Sequence, residues 1–583
     1  MVSFSYLDST FLPLLATTMA SPLHACLLLA LLFLALAFFH PGGVAWALSS
    51  SGGHGAAAIP GPRGVLLAFA GPNPHRALAS LAASTRGATR LMAFSVGLTQ
   101  FVVASHPDTA REILAGAAFA DRPVKEAAAE LMFHRAMGFA PHGGYWRRLR
   151  RLASAHALAP GRLAARRRAI GEETVRRVAA AMARDGAVGV RRLLHLASLD
   201  NVMASVFGVG LGELGAGAVS ELEEMVGQGY ELLGTFNWGD HLPLLRLLDV
   251  HGVRRKSRAL ASRVKVFVSK IIEEHKTRRD AKYGGCDGDG DFVDVLLGLE
   301  GEERLEEEDM VAVLWVNTVA ILLEWVLARM ALHPDVQSKA QAEIDAAAVS
   351  GDAAALPYLH CVVKECLRMH PPGPLLSWAR LATRDAHLDL GADAGGRAAL
   401  VPAGTTAVVN MWAIARDGGL WRDPGVFRPE RFLGDGEAAG VGVAGGAGGY
   451  DLRLAPFGAG RRACPGRALA MATVHLWLAQ LLRSFRWVPS GDRGVDMSER
   501  LGMSLEMEKP LICLALPRTS MGCDPAFLIS DYGLPCQLFP SHDSSPTVGA
   551  VPPAANPPWT LAAPPRAGLR HLPFPTFVAP LHV

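Results

Sequence analysis

One stretch of the chain has the residue types and spacing for metal chemistry. Pro456-Phe457-Gly458-Ala459-Gly460-Arg461-Arg462-Ala463-Cys464-Pro465-Gly466 places a cysteine at the end of a glycine-rich turn. An apolar-periodic segment, Arg467 to Phe485, follows directly and reads as a helix. Pro465 suits the first helical position, since its missing N–H would be unpaired there anyway. Cys464 is therefore expected at or near the helix N-cap, where the helix dipole lowers a thiol pKa and favours thiolate. Gly458 and Gly460 let the backbone approach a flat, bulky group without a side-chain clash. Arg462 can pair with an anionic substituent on that group. A lone cysteine is ordinarily a small core residue; the residues around this one argue for a ligand.

A thiolate, a glycine-lined loop and an adjacent arginine fit the proximal face of a haem. Read at Phe457, Gly460, Arg462, Cys464 and Gly466, the string Phe-x-x-Gly-x-Arg-x-Cys-x-Gly resembles the haem-binding signature of the cytochrome P450 family. Two further segments strengthen the resemblance. In Gly144-Tyr145-Trp146-Arg147-Arg148-Leu149-Arg150-Arg151, Trp146 and Arg150 share a helical face. They match the family's Trp-x-x-x-Arg motif, whose indole N–H and guanidinium can bond a haem propionate. Glu365 and Arg368 lie three apart on a second helix, and Arg431 follows in Phe427-Arg428-Pro429-Glu430-Arg431-Phe432. By resemblance these three residues form a buried Glu–Arg–Arg triad that locks the core behind the haem. The resemblance covers roughly residues 59–519.

Two runs look like the plastochron-type plant clade of that family: Met369-His370-Pro371-Pro372-Gly373-Pro374-Leu375-Leu376-Ser377-Trp378-Ala379-Arg380, and Asn410-Met411-Trp412-Ala413-Ile414. The resemblance implies a haem-thiolate monooxygenase carrying heme b (iron protoporphyrin IX), with Cys464 as the axial ligand to iron. It implies hydroxylation of a small lipophilic substrate, such as a fatty acid, by molecular oxygen, and a role in plant organ growth. NADPH-cytochrome P450 reductase would supply electrons from the basic side that carries Arg461 and Arg467. The implied fold is mainly α with minor β, its haem buried between distal and proximal helices, with a transmembrane helix at the N-terminus.

The elements that must position these residues are legible in outline. Most of 100–330 is Ala/Leu/Arg-rich with apolar residues three and four apart, which predicts helices. Strand-like stretches are few; Thr99 to Ala104 and Thr405 to Val409 are two. Asp121 to Pro141 is expected as a mobile loop over the substrate pocket. Phe236-Asn237-Trp238-Gly239-Asp240-His241-Leu242-Pro243 interrupts two helices above it and offers aromatic and apolar residues to a membrane. Gly284 to Asp291 reads as a flexible surface loop, and Phe432 to Tyr450 as a loose Gly/Ala-rich insertion.

Composition sets the frame. Half of the 583 residues are hydrophobic and the net charge is +3, with no dense Lys/Arg run interleaved with aromatics, so no nucleic-acid partner is expected. The eight cysteines show no paired metal spacing, which fits a reducing compartment. Ser21 to Leu48 carries no Asp, Glu, Lys or Arg and is long enough to cross a bilayer, which needs about 20 residues. A cleaved signal peptide would want a basic n-region, and only Asp8 is charged before this stretch. Arg63 is the first basic residue, so the positive-inside rule predicts a lumenal N-terminus and a cytosolic catalytic domain on the endoplasmic reticulum. The expected organisation is an anchor segment (1–48), a linker with a proline-rich hinge (49–64), a catalytic domain (65–519) and a proline-rich, disordered tail (520–583).

The chain departs from the family at the distal helix, which normally carries Ala/Gly-Gly-x-Asp/Glu-Thr. Here the run is Val313-Leu314-Trp315-Val316-Asn317-Thr318-Val319-Ala320-Ile321-Leu322-Leu323-Glu324-Trp325. Thr318 matches the family threonine as the catalytic hydroxyl. Asn317 stands where the acid should be, and no glycine precedes it. Relative to plastochron-type members about six residues are missing, which is about 9 Å of helix. This disrupted oxygen-activation motif keeps two alternatives open: a haem-thiolate isomerase or dehydratase, and a catalytically impaired haem protein.

Overall fold

The computed structural model describes residues 25–32, 40, 42–49, 58–63, 73–131, 135–161, 163–281, 291–299, 318–350, 356–376, 379–391, 398–443, 451–491 and 494–518. The expected tail, most of the linker, residues 33–39 of the expected anchor, most of the Gly284 to Asp291 loop, residues 300–317 with Asn317, and residues 444–450 lie outside them.

Helices dominate, and those that bear on the site are α1 (Glu126–Leu131), α2 (Gly144–Leu152), α3 (Ala164–Asp185), α4 (Val190–Phe207), α5 (Val253–Ala281), α6 (Thr318–Leu332), α7 (Pro357–Met369) and α8 (Arg467–Ser484). Their apolar faces meet in two clusters: α1, α2 and α5 pack together through Leu131, Leu149 and Val264, while α3, α6, α7 and α8 share a larger one, and α4 contributes to both. Ile321, Leu323, Trp325, Val326 and Leu327 of α6 pack with Leu359, Val362 and Val363 of α7 and with Val474, Trp477 and Leu478 of α8. Helix α6 is apolar all round, which suits a helix surrounded by others. Its one acid, Glu324, is buried and paired with Arg191 of α4 at 2.9 Å, and it also accepts the Leu511 amide at 2.9 Å. Trp325 stacks on His370 at 3.9 Å and donates its indole N–H to the Leu505 carbonyl. The described part of this helix is thus fixed on several sides, whatever precedes it.

The largest sheet is small. Strands β1 (Met92–Val96), β2 (Thr99–Ala104), β3 (Arg380–Leu381) and β4 (Thr406–Val409) lie in the order β1-β2-β4-β3. β1 and β2 form an antiparallel hairpin with Phe94 opposite Phe101; β2 runs parallel to β4 with Phe101 opposite Thr406. Gly97 makes the hairpin turn at φ +54°, and a Cβ there would strike the His241 carbonyl at 2.7 Å. The Leu98 amide donates to that same carbonyl, so the hairpin tip is pinned to the segment that interrupts the helices before α5.

Three sequence expectations change in the structure. Asp121 to Pro141 is not simply a loop, because it contains α1. Phe432 to Val443 is not loose: Ala438 and Val441 are buried, and the Ala438 amide returns to the Arg431 carbonyl at 2.8 Å. The end of the uncharged Ser21 to Leu48 stretch belongs to the globular body. The Ala45 amide donates to Ser95 Oγ at 3.1 Å, Ser95 Oγ donates to the Gly42 carbonyl at 2.7 Å, and Trp46 Nε1 donates to the Phe94 carbonyl at 2.9 Å. Among the described residues no helix is long and apolar enough to cross a membrane.

Candidate haem-thiolate site

Cys464 ends a loop whose backbone is tightly constrained. Its amide donates to the Phe457 carbonyl at 2.9 Å, closing the turn on itself. Gly460 has φ +67°, and a Cβ there would lie 2.1 Å from the Leu114 carbonyl oxygen, so glycine alone fits. Gly458 shares the positive φ but has open space around its Cα. Gly466 is the N-cap of α8, which begins at Arg467, so Cys464 sits two residues before the cap rather than on it. Phe457 is half-buried against the main core cluster.

The expected low thiol pKa does not follow from this geometry. Burial pushes the Cys464 thiol above its ordinary value, while a hydrogen bond from the Gly466 amide and the charges of Arg150 and Arg467 pull it back in part. Desolvation outweighs the helix end because the cysteine lies outside the first turn, where the dipole is felt. Yet the side chain is accessible.

Four arginines surround the loop. Arg150 of α2 donates to the Ala463 carbonyl at 2.6 Å, and Arg380 of β3 donates to the Ala459 carbonyl at 3.3 Å. Arg462 donates to the Ala120 and Ala140 carbonyls at 2.9 and 2.7 Å, and Arg122 to the Ala379 carbonyl at 3.3 Å. Burial and repulsion by neighbouring guanidiniums hold three of them below the usual range: Arg380 falls to about 9, Arg462 to about 10, and Arg122 well below its ordinary value. Asp121 approaches Arg462 at 3.5 Å. Even so, Arg380 Nε and Nη1 and Arg462 Nη1 are buried without a hydrogen-bond partner. Buried donors on repelling cations call for an anion. A haem with two propionates supplies that anion, and the glycine-lined loop accommodates a flat ring, so the residues present fit the group.

Trp146 takes a different part from the one expected. Its indole N–H donates to the Met137 carbonyl at 3.0 Å. Its ring face instead meets the guanidinium of Arg462 at 4.4 Å and that of Arg150 at 5.4 Å, holding both by cation–π contact. Sequence reasoning also missed Arg122 and Arg380 as members of the cluster. The available signal was a single arginine beside apolar residues at the mouth of a buried strand, in Trp378-Ala379-Arg380-Leu381.

Behind the loop, Glu365, Arg368 and Arg431 are all fully buried. Arg368 pairs with Glu365 at 2.8 Å through two N–H groups, and Arg431 reaches the same carboxylate at 3.1 Å. Arg368 also donates to the Ala415 and Pro424 carbonyls, and Arg431 bonds Glu437. Thr318 opens the described part of α6 and is half-buried there; α6 crosses α8, the helix that follows Cys464.

These features define a mainly helical haem-thiolate fold, and the comparisons agree. The cytochrome P450 family model matches residues 63–514. The chain belongs to the cytochrome P450 family, whose members carry heme b on a cysteine thiolate. Among curated relatives, it is 50% identical over 498 residues to cytochrome P450 78A5 of Arabidopsis thaliana, a match covering 82% of this chain and 92% of the relative. It is 51% identical over 453 residues to cytochrome P450 78A1 of Zea mays, covering 74% and 81%. These relatives are of the plastochron-type clade. Among solved structures, a zebra fish cytochrome P450 with abiraterone superposes with a TM-score of 0.60 at 24% identity, covering 76% of this chain and 100% of that one. That likeness speaks for the fold.

Proposed function

We propose that this protein is a membrane-anchored monooxygenase that hydroxylates a small lipophilic substrate, with fatty acids the class that fits best. The observation that carries this reading is half-identity to plastochron-type relatives over some four fifths of the chain, together with a cysteine loop fitted for heme b. Cys464 would ligate the iron; Arg122, Arg150, Arg380 and Arg462 would hold the propionates. Bound there, the haem would supply the site of dioxygen reduction, and its iron the positive charge that deprotonates the thiol. Gly466 supports the sulfur with its amide, and Thr318 Oγ1 would hold a proton on the distal side. NADPH-cytochrome P450 reductase is the expected electron donor, the endoplasmic reticulum the expected membrane, and plant organ growth the expected process.

Asn317 and the missing glycine favour a second reading, a haem protein in which electron uptake and product formation are uncoupled. Reconstitution with the reductase and a panel of fatty acids decides between them. Hydroxylated product in proportion to NADPH consumed supports the first reading. NADPH consumption without product supports the second. Conversion of a fatty hydroperoxide with no reductase present would replace both with an isomerase or dehydratase.

A further inference from the structure

Three segments far apart in the chain meet behind the C-terminal end of α7: residues 369–370, the stretch Trp412 to Arg416, and the helix Pro74–Ser84. Close contacts join them. Arg416 donates through Nη2 to the Met369 carbonyl, and its guanidinium lies over the Trp412 ring at 4.2 Å. That carbonyl belongs to the peptide leading into His370, so the guanidinium and the His370 ring sit one residue apart. The Trp412 ring meets the His75 ring edge-on at 5.4 Å, and Asn410 donates to the His75 carbonyl at 2.9 Å. The chain leaving α7 is tied here as well, since the Trp412 amide donates to the Pro374 carbonyl at 3.1 Å.

The hydrogen bonds at this junction do not balance. His370 is 4% exposed, and Arg329 of α6 donates to its Nε2 at 2.9 Å. Burial, then the charges of Arg329 and Arg416, keep the ring neutral. With Nε2 accepting, the ring proton is on Nδ1, which is a donor. His370 Nδ1, Trp412 Nε1 and Arg416 Nη1 are all buried and all without a partner. They cannot satisfy one another, because all three are donors. His75 Nδ1 is a buried acceptor without a partner in the same neighbourhood, its Nε2 being given to Glu499. One neutral lone pair answers one N–H and leaves the others.

Charge points the same way. Among the described residues neither Arg416 nor Arg329 forms an ion pair: one bonds a carbonyl and the other a neutral imidazole. Glu499 is shared by His75 at 3.0 Å and by Arg76. A buried cation without a counter-ion, beside unpaired N–H groups, is the donor set of an anion site. A water would accept from these donors but bring two protons of its own and leave the charge standing. Oxyanions are held best by a paired guanidinium fork. Arg416 has committed one arm of its fork to Met369, whereas a spherical halide needs no fork.

We propose that Arg416, His370 and Trp412 hold a buried halide ion, chloride under ordinary conditions, that pins the end of α7 to the short helix Met411–Ile414. The site is independent of the reading of the protein as a monooxygenase.

The test uses the full-length, haem-loaded protein in sodium gluconate, replaced stepwise by sodium chloride at constant ionic strength. Gluconate is too large to enter a buried site. The wild-type thermal midpoint should rise with chloride and level off, by about 3 °C in all. Trp412→Phe keeps the ring on which Arg416 lies and removes one N–H. It should need about tenfold more chloride for the same rise, the scale of one hydrogen bond to a charged group. Arg416→Gln should lose the rise; should it fail to fold, Trp412→Phe still decides. Crystals grown in sodium bromide should show an anomalous peak within hydrogen-bond reach of Arg416 Nη1 and His370 Nδ1. No chloride dependence in the wild-type protein, or an unaltered one in Trp412→Phe, overturns the site. Density there without anomalous signal assigns the position to water and overturns it too. A bromide peak with no effect in solution marks an adventitious ion only and does the same.

Discussion

Arg380 is hard to account for by protein contacts alone. It is buried, points two nitrogens at no partner, and lies among three other guanidiniums. A bound dianion removes the difficulty, so Arg380→Met should release strain in the empty protein and weaken haem retention. The expected loss is about 1.5–3 kcal/mol, the worth of a hydrogen bond to a charged group, measured by haem transfer to an apo-acceptor. Cys464→Ala should abolish the red-shifted CO band of the reduced protein; an unchanged spectrum would remove Cys464 as ligand. The cysteine and its neighbours were legible in the sequence because their roles are fixed by spacing along one loop. Arg122 and Arg380 were not, because each belongs to a different segment and the cluster exists only once β3 and the stretch before α1 are folded onto the loop. The indole of Trp146 was placed in the right neighbourhood but with the wrong atom, since spacing says which residues share a face and nothing about where a rival carbonyl lies.

At the scale of elements, the triad joins α7 to the irregular chain after it. Glu365 and Arg368 are a turn apart, so their pairing was legible from a helix alone; Arg431 required the family resemblance, and Glu437 was hidden in a segment expected to be loose. Glu365→Leu should cost about 3–5 kcal/mol by leaving Arg368 and Arg431 charged in the core. Equilibrium urea unfolding checks it, and replacing Glu365, Arg368 and Arg431 together with apolar residues should cost less than the single change plus the other two summed. Gly460→Ala should prevent the cysteine loop from closing, because the added methyl group meets backbone and not a movable side chain. Haem content of the purified variant reads this directly, and near-normal content would show that the loop tolerates a shift at Leu114.

For the whole molecule, acid stability follows from its buried histidines. His195 and His360 are pushed down to about 4 and His241 to about 3, each mainly by burial. The unfolded chain takes up protons near 6.5 and the folded one does not. The stability these groups contribute is therefore present above about 6.5 and is lost as pH falls toward 4. Denaturation midpoints should drop steadily between pH 7 and pH 5; a flat profile would mean that other groups compensate. The helical class and the two strand stretches were readable from periodicity. The attachment of residues 42–48 to β1 and β2 was not, because an uncharged run gives no sign of where a membrane-seeking part ends and a core-packed part begins.

That attachment changes what the linker can do. Gly42 donates to the Pro62 carbonyl at 3.2 Å, so the chain is already fastened to the body before residues 50–57 begin, and it rejoins the body at the proline-rich hinge. The small-residue linker is then a side loop and not a tether. If an apolar anchor precedes it, the length of that loop sets neither how far the catalytic body stands from the bilayer nor how freely it tilts; those are set by the docking of Trp46 and Ala45 on the hairpin. Lengthening 51–57 with glycine and serine should leave the body's depth and orientation unchanged, as read by quenching from lipid-borne labels. Trp46→Ala together with Ser95→Ala should turn a rigid mount into a swivel.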